Sequence, residues 1–329
     1  MSVSQLTRPT TQPARPTTQP ARWKLVLAYV VVCLIWGTTW FSMKVAVRTI
    51  PPITAAGLRF TAAFPFLAIL VKATPGATFT MRGKNWLLLV TAVTYIGLPY
   101  ALINYGEESV SSGLASLLFA SVTIFLLVFS RIISHTRVTL RQGIGVGAGI
   151  VLLGVLLLVT GNGFGAHGWL PVAAILAAAV LHALTYALLG RYGAEIPVLT
   201  TEALPVGIGG VALLVLGALT EHPHVTSFSV QSWMGVAYLA VVASVLGFAA
   251  YFFLLKHLTA LTVSYVFVLF PIIAVFVSSI GDGGHFSVAA YIIAAAMLGC
   301  FALTKLGSDK LEQPTYNEAN ESNTDSGLQ

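Results

Sequence analysis

Ten long apolar runs, separated by short clusters of proline, glycine and charged residues, constrain this chain of 329 residues more than any other feature. Each run is about 20 residues long, which is the length that an α-helix needs to cross the roughly 30 Å hydrocarbon core of a bilayer. Hydrophobic residues make up 57% of the chain and charged residues only 9%, far outside the usual range of a soluble protein. A membrane β-barrel would instead show short segments of alternating hydrophobicity. The sequence therefore predicts an all-α integral membrane protein.

Clusters of proline, glycine and charge mark the ends of the predicted transmembrane helices. The predicted spans are 24–47, 53–72, 85–105, 111–133, 140–160, 168–190, 197–219, 231–253, 261–280 and 286–306. Residues 1–23, which contain RPTTQPA twice in tandem, and residues 307–329 are polar and proline-interrupted, so they cannot build a packed core. We therefore predict a disordered arm at each end and two five-helix units, over residues 24–160 and 168–306.

The distribution of basic residues predicts the orientation of the spans. If both termini are cytoplasmic, 14 of the 17 Lys and Arg residues fall on the inner side, and only Lys44 and Arg48 fall in outer connections. Arg59 is the remaining one and lies within a span. The positive-inside rule therefore predicts that both ends are cytoplasmic. This topology explains the net charge of +6, and no nucleic-acid partner is needed.

The two halves of the chain resemble each other weakly when one is shifted along the other. The shift places LIWGTTWF (34–41) over LHALTYAL (181–188), so that Trp36 lies over His182 and Trp40 over Tyr186. A duplicated unit with five helices must enter the membrane in the opposite orientation, because five is odd. Inverted repeats of this kind are typical of secondary transporters, whose substrate site lies between the repeats near the bilayer midplane.

Several segments resemble the EamA-type branch of the drug/metabolite transporter superfamily. They are LIWGTTWFSMKVAV, IPPITAAGLRFTAAF, SSGLASLLFASVTIF, VLHALTYALLGRYG and LTALTVSYVFVLFPIIAVFVSSIG. The resemblance covers about residues 24–306 and implies a ten-helix exporter or exchanger of small metabolites, such as amino acids, in a bacterial cytoplasmic membrane. Two departures stand out. Val122 and Thr123 occupy positions where the family often has proline, and His182 stands where an aromatic residue is usual.

Aromatic and polar residues inside the spans predict a substrate cavity. Residues four apart share a helix face, which pairs Trp36 with Trp40 and His182 with Tyr186. The predicted lining consists of Trp36, Trp40, Tyr95, Tyr100, Asn104, His182, Tyr186, Tyr251 and Tyr265. Packing between helices is the alternative for each of these side chains. His182 either relays protons or bonds a helix backbone without titrating.

Ionisable residues within the predicted spans are few. Arg59 lies about 10 Å along its helix from the outer boundary, so it is interpreted as a structural anchor that leans outward, with substrate contact as the alternative. Among the 11 acidic residues, Glu202 is predicted to be the one inside a span. This scarcity favours facilitated diffusion or exchange over ion coupling, and proton coupling would use Glu202 and His182.

Other functional classes have weaker support in the sequence. GFGAHG (163–168) matches G-x-G-x-x-G but has no preceding strand, and EHPH (221–224) offers only two histidines in a loop. We therefore predict no cofactor, no metal site and no enzymatic activity. A membrane-embedded enzyme, an exchanger of phosphorylated metabolites and a drug or amine efflux carrier are the alternatives. The expected partners are a small-molecule substrate and the lipid bilayer, with a monomer favoured over a homodimer.

Overall fold

The computed structural model describes residues 20–81, 83–135, 138–160, 168–258, 260–283 and 286–305. These residues form helices and connecting segments and contain no β-strand. The predicted arms fall almost entirely on residues 1–19 and 306–329, outside the described residues. Most of the GFGAHG segment also lies outside them, since only its final glycine, Gly168, is described.

Ten helical segments follow one another along the described chain. They are α1 (Arg22–Ala46), α2 (Pro52–Ala73), α3 (Asn85–Glu107), α4 (Ser112–Ile133), α5 (Leu140–Thr160), α6 (Leu170–Tyr192), α7 (Val198–Thr220), α8 (Val230–His257), α9 (Ala260–Ser264 continued by Val266–Gly281) and α10 (Val288–Lys305). In the described part of the chain, nine segments are long and apolar enough to cross a membrane, and the tenth is a shorter apolar helix at Val288–Thr304. The all-helical fold predicted from the apolar runs is therefore confirmed.

Hydrogen bonds between connecting segments establish which helix ends lie together. We call the face at which α1 ends the distal face; it includes the segments 47–51, 108–111 and 221–229. Here the Ser229 N–H donates to Thr49 Oγ1 at 2.9 Å. The opposite face, which we call the proximal face, includes the segments 74–84 and 193–197. Here the Thr78 N–H donates to Thr200 Oγ1 at 3.0 Å, and Lys84 pairs with Glu195.

Two carboxylates at the distal face cap helices of the other half of the chain. Glu221, just after α7, accepts bonds from the N–H groups of Ile53 and Thr54 at 2.8 Å each, at the start of α2. Asp282, just after α9, accepts a bond from the Ser112 N–H at 2.8 Å, at the start of α4. Unpaired N–H groups at a helix start favour an anion there. Both caps therefore join the two halves of the chain at the distal face.

Close helix contact also joins the halves, and glycine makes it possible. A Cβ atom on Gly57 of α2 would lie 2.6 Å from the backbone nitrogen of Leu214 in α7. A Cβ atom on Gly210 of α7 would lie 2.8 Å from the backbone nitrogen of Thr61. Side chains larger than hydrogen would therefore push α2 and α7 apart. Small residues serve the same purpose in many membrane helix pairs.

Irregularities occur at matching places in the two halves of the chain, one in the third helix of each half and another in the fourth. A π-helical stretch interrupts α3 at Ala92–Gly97 and α8 at Tyr238–Leu246. α4 breaks at residues 120–121, and α9 breaks at Tyr265. α4 breaks although it lacks the proline of the family pattern. At the break, the Ser121 N–H donates a hydrogen bond to the Leu118 carbonyl at 3.1 Å, so this backbone donor keeps a partner.

A second acidic residue lies within a helix, which corrects the prediction that only Glu202 does so. Glu107, the last residue of α3, has 0% exposure, and neither carboxylate oxygen accepts a hydrogen bond from a described residue. Lys44 and Asp282 lie close enough to interact with it electrostatically, and the Lys44 ammonium donates to the backbone carbonyls of Glu107 and Val110. Sequence position concealed this cluster, because Glu107 stands at the very end of its apolar run.

Glycine substitutions test the contact between α2 and α7. We expect Gly57→Val to abolish the folded protein, because the added Cβ would meet backbone atoms that cannot move aside. Gly147→Val is the matched control, since nothing lies within 4 Å of a Cβ at that position. Size-exclusion chromatography in detergent provides the measurement. Equal folded yields of the two variants would contradict the packing described.

Charge removal tests the distal cluster. Lys44→Met leaves the Glu107 and Asp282 carboxylates without their cation, so we expect the free energy of unfolding to fall by about 3 kcal/mol. Glu107→Gln replaces a buried carboxyl group whose oxygens accept no hydrogen bond from a described residue, so its melting temperature should equal or exceed that of the wild type. Thermal unfolding in detergent distinguishes the two. A larger loss for Glu107→Gln than for Lys44→Met would contradict this interpretation of the cluster.

Candidate functional site

Helices from both halves surround two neighbouring aromatic chambers, which together we call the cavity. The distal chamber has a volume of about 70 Å³, and the proximal chamber has a volume of about 260 Å³ and extends to the segment 193–197. The chambers share a wall formed by Trp36, Tyr95, Tyr186, Phe248 and Phe267. The distal chamber is completed by Thr39, Trp40, Met43, Arg59, Tyr100, Ile103, Phe119, His182 and Phe270. A cavity of this kind, mostly apolar with a few polar groups, is typical of small-molecule sites.

The aromatic walls are held by contacts between rings on different helices. Trp36 of α1 lies 5.0 Å from Tyr251 of α8 and 5.7 Å from Phe267 of α9, measured between ring centroids. Trp40, one turn further along α1, lies 5.4 Å from Phe119 of α4. These separations are those of favourable tilted and edge-to-face ring pairs. The rings therefore pack against one another and line the cavity at the same time.

His182 is enclosed by rings and bonds its own helix. Its Nδ1 lies 3.1 Å from the Ala178 carbonyl oxygen, which can only accept, so Nδ1 carries the hydrogen. Tyr95 and Phe119 each lie 4.9 Å from the imidazole centroid, and the side chain is 2% exposed. No carboxylate forms an ion pair with it among the described residues. The side chain thus has the bonding of a neutral imidazole.

Arg59 turns into the distal chamber, which corrects the expectation that it leans toward the outer surface. The side chain is 6% exposed, and its Nε donates to Ser244 Oγ at 3.3 Å. Its guanidinium carbon lies 4.8 Å from the Phe60 ring centroid and 4.9 Å from that of Tyr100. The π-helical stretch of α8 brings Ser244 to this position. Sequence alone gave no sign of that stretch, because it contains no proline.

No carboxylate compensates the Arg59 charge. Within the described ranges the only ion pair joins Lys84 to Glu195 at the proximal face. The guanidinium also contacts Met43 Sδ at 3.5 Å, which is a weak acceptor, and forms a side-chain hydrogen bond with Tyr100. A ligand carboxylate in the distal chamber would supply a stronger acceptor than either of these partners.

Glu202 provides the opposite charge in the proximal chamber. The Tyr95 hydroxyl donates to Glu202 Oε1 at 3.3 Å, and Oε2 has no partner among the described residues. Glu202 is 7% exposed and lies near the start of α7, beside Thr201. The described lining of this chamber contains no Lys, Arg or His. The described lining of the proximal chamber therefore contains one carboxyl group and no basic side chain.

Most of the predicted lining residues surround the two chambers. They are Trp36, Trp40, Tyr95, Tyr100, His182, Tyr186 and Tyr251, together with Arg59 and Glu202. Asn104 and Tyr265 lie elsewhere, which corrects their assignment to the lining. The Asn104 amide donates to the Pro52 carbonyl at 3.0 Å and so joins α3 to the start of α2. Tyr265 lies at the break in α9 and is absent from the described lining of both chambers.

Sequence reasoning missed several apolar members of the lining. Phe119, Phe248, Phe267 and Phe270 contribute rings to one or both chambers. Phenylalanine also occurs at exposed positions of the spans, such as Phe66 and Phe276, so residue type alone does not separate the rings that face the cavity from the others. Phe119 immediately precedes the break in α4, and no proline marks that break in the sequence. Within the described ranges, no group of three or more His, Cys, Asp or Glu side chains is arranged to hold a metal ion.

Three bacterial proteins are similar to this chain over most of their length, and two of them are named as transporters. Protein PagO of Salmonella typhimurium is 35% identical over 250 residues, which is 76% of this chain and 82% of PagO. An uncharacterized transporter of Buchnera aphidicola is 31% identical over 77% of this chain and 84% of its own length. The uncharacterized inner membrane transporter YedA of Escherichia coli K12 is 28% identical over 77% of this chain and 80% of YedA.

One solved crystal structure shares the fold. It has a TM-score of 0.62 at 18% identity and covers 89% of this chain and 100% of its own. The model of the EamA-like transporter family matches twice, at residues 23–160 and 169–305. These two matches leave only the terminal arms and a short connection uncovered. The chain is therefore a multi-pass membrane protein that belongs to the EamA-like transporter family.

Proposed function

We propose that this protein is an alternating-access carrier that exports amino acids or related carboxylates across the bacterial cytoplasmic membrane. The observation that carries the proposal is Arg59, a buried guanidinium without a carboxylate partner inside a cavity between the two halves of the chain. Membership of the family supports a transport function, and Arg59 supports a substrate that carries a carboxylate.

The energetic argument favours a ligand with one carboxylate. A buried charge costs several kcal/mol unless a partner compensates it, and the rings of Phe60 and Tyr100 offset only part of that cost through cation–π attraction. A carboxylate complements the guanidinium with two parallel hydrogen bonds. A phosphate carries more charge and would call for further cations, whereas Arg59 is the only Lys or Arg in the described lining of either chamber.

Alternating access follows from the asymmetry of the two faces. Glu221 and Asp282 tie the halves together at the distal face, whereas the proximal chamber reaches the segment 193–197. We therefore propose that this conformation admits substrate from the proximal face. The positive-inside rule makes that face, and both termini, cytoplasmic. The two five-helix units, related by inverted topology, then move against each other about the fixed cavity.

The remaining parts of the proposal concern location, assembly and chemistry. The name of YedA, an inner membrane transporter, supports a cytoplasmic-membrane location for this chain. We propose a monomer, because one chain supplies every helix that lines the cavity. We also propose that the protein is a carrier without catalytic activity, since His182 bonds its own helix backbone and has no carboxylate to activate it. Recovery of every bound compound unchanged would support this assignment.

Counterflow in proteoliposomes tests the proposed function. We expect labelled neutral L-amino acids to accumulate transiently in vesicles loaded with the same unlabelled compound, because a carrier exchanges substrate without an energy source. Their amides, which lack the carboxylate, should neither accumulate nor compete. Empty vesicles are the control. Absence of saturable flux across a broad panel of amino acids would contradict the proposal.

Substitution of Arg59 tests the role of the guanidinium. Arg59→Met retains a long side chain, so we expect folded protein whose apparent affinity for carboxylate substrates is about tenfold lower or worse. Arg59→Lys keeps the charge but loses the two-bond geometry, so its affinity should be intermediate. Arg48→Met, which removes an exposed cation at the distal face, is the matched control. Unchanged affinity in folded Arg59→Met would assign Arg59 to structure alone.

A further inference from the structure

The two chambers carry opposite charges. Arg59 lies in the distal chamber, and no Asp or Glu lies in the described lining there. Glu202 lies in the proximal chamber, and no Lys, Arg or His lies in the described lining there. Both side chains are buried and they do not form an ion pair with each other, so a ligand group of opposite sign would stabilise the charged form of each. A ligand with a single charge would leave one of them uncompensated.

The proximal chamber has the properties of a site for an organic ammonium group. Glu202 lines this chamber, and its buried Oε2 is an acceptor that no described residue satisfies. Six aromatic side chains complete the walls, namely Trp36, Tyr95, Tyr186, Phe248, Tyr251 and Phe267. The faces of aromatic rings attract cations, and a carboxylate among such rings is a recurrent arrangement for amines. A simple hydrophobic substrate would need no carboxylate here.

The two charges are too far apart for one α-amino acid group to meet both. The antiparallel contact between α2 and α7 pairs Gly57 with Leu214 and Gly217 with Thr54, so the same register places Glu202 level with position 69 of α2. That position lies ten residues, or about 15 Å, along α2 from Arg59. In an α-amino acid, the ammonium nitrogen and the carboxylate carbon are joined through one carbon and lie only about 2.5 Å apart. The two charged groups of the ligand must therefore be separated by a longer chain.

We propose that the preferred substrates carry a carboxylate and a terminal amine at opposite ends of an aliphatic chain, as L-lysine and 5-aminopentanoate do. The carboxylate binds Arg59 in the distal chamber, and the terminal ammonium binds Glu202 in the proximal chamber. The aliphatic chain lies along the shared aromatic wall of Trp36, Tyr186 and Phe267. This inference rests on the proposed function, and it extends it by assigning a second recognition site.

Matched compounds provide the test. L-lysine and L-norleucine differ only in the terminal amine, as do 5-aminopentanoate and pentanoate. Each compound is used as an unlabelled competitor of L-[¹⁴C]lysine counterflow in proteoliposomes that contain the wild-type protein. We expect each amine to compete about tenfold better than its partner, or more, because its ammonium pairs with a buried carboxylate.

Variants then assign the preference to Glu202. In Glu202→Gln the ratio between lysine and norleucine should fall to about one, and in Glu202→Asp a preference for lysine should persist. Glu195→Gln makes the same charge change at an exposed position of the proximal face, and we expect it to retain the wild-type ratio. Thermal unfolding in detergent establishes that each variant is folded. The Glu202→Asp result keeps the test informative if Glu202→Gln is unstable.

Each outcome has one meaning. Equal competition by lysine and norleucine in the wild type overturns the inference and leaves the proposed function intact, because neutral amino acids are then still carried. A lysine preference that survives in folded Glu202→Gln also overturns it, since another group must then recognise the amine. If neither lysine nor any neutral amino acid shows flux, both the inference and the proposed function fail.

Discussion

Close contact between α2 and α7 is the constraint on which the rest of the structure depends. These helices belong to different halves of the chain, and Gly57 and Gly210 let their backbones meet. In a bilayer no hydrophobic force drives helices together, so close packing and hydrogen bonds must hold the halves in register. Arg59 lies two residues after Gly57, and Glu202 lies two turns before Gly210, at the other end of the cavity. The contact that joins the halves thus also positions both charges.

Uncompensated charge distinguishes the cavity from the rest of the buried interior. At the distal face, the carboxylates of Glu221 and Asp282 satisfy helix N–H groups, and Lys44 balances the cluster that contains Glu107. Arg59 and Glu202 have no such partners among the described residues. An unpaired charge in a region of low dielectric lowers the stability of the folded protein. Selection for stability alone would therefore not retain Arg59 and Glu202. The proposed ligand, which binds and then leaves, would account for the absence of permanent partners among the described residues.

Sequence patterns predicted the helices well, because burial in lipid requires long apolar runs with satisfied backbones. Ring pairs four residues apart also placed Trp36 with Trp40 and His182 with Tyr186 around one cavity. Side-chain direction was less predictable. Arg59 turned inward because the π-helical stretch of α8 offers Ser244, and Asn104 turned away because the Pro52 carbonyl lies nearby. Both outcomes depend on contacts between distant segments, which no local pattern contains.

The central claim is that the Arg59 guanidinium binds the carboxylate of a transported compound inside the cavity. An experimental structure of the protein with a transported amino acid bound tests this most directly. The predicted result is a ligand carboxylate about 2.8 Å from the Arg59 guanidinium nitrogens, within the aromatic walls of the distal chamber. A ligand bound elsewhere, with Arg59 in contact only with side chains of the protein, would contradict the claim.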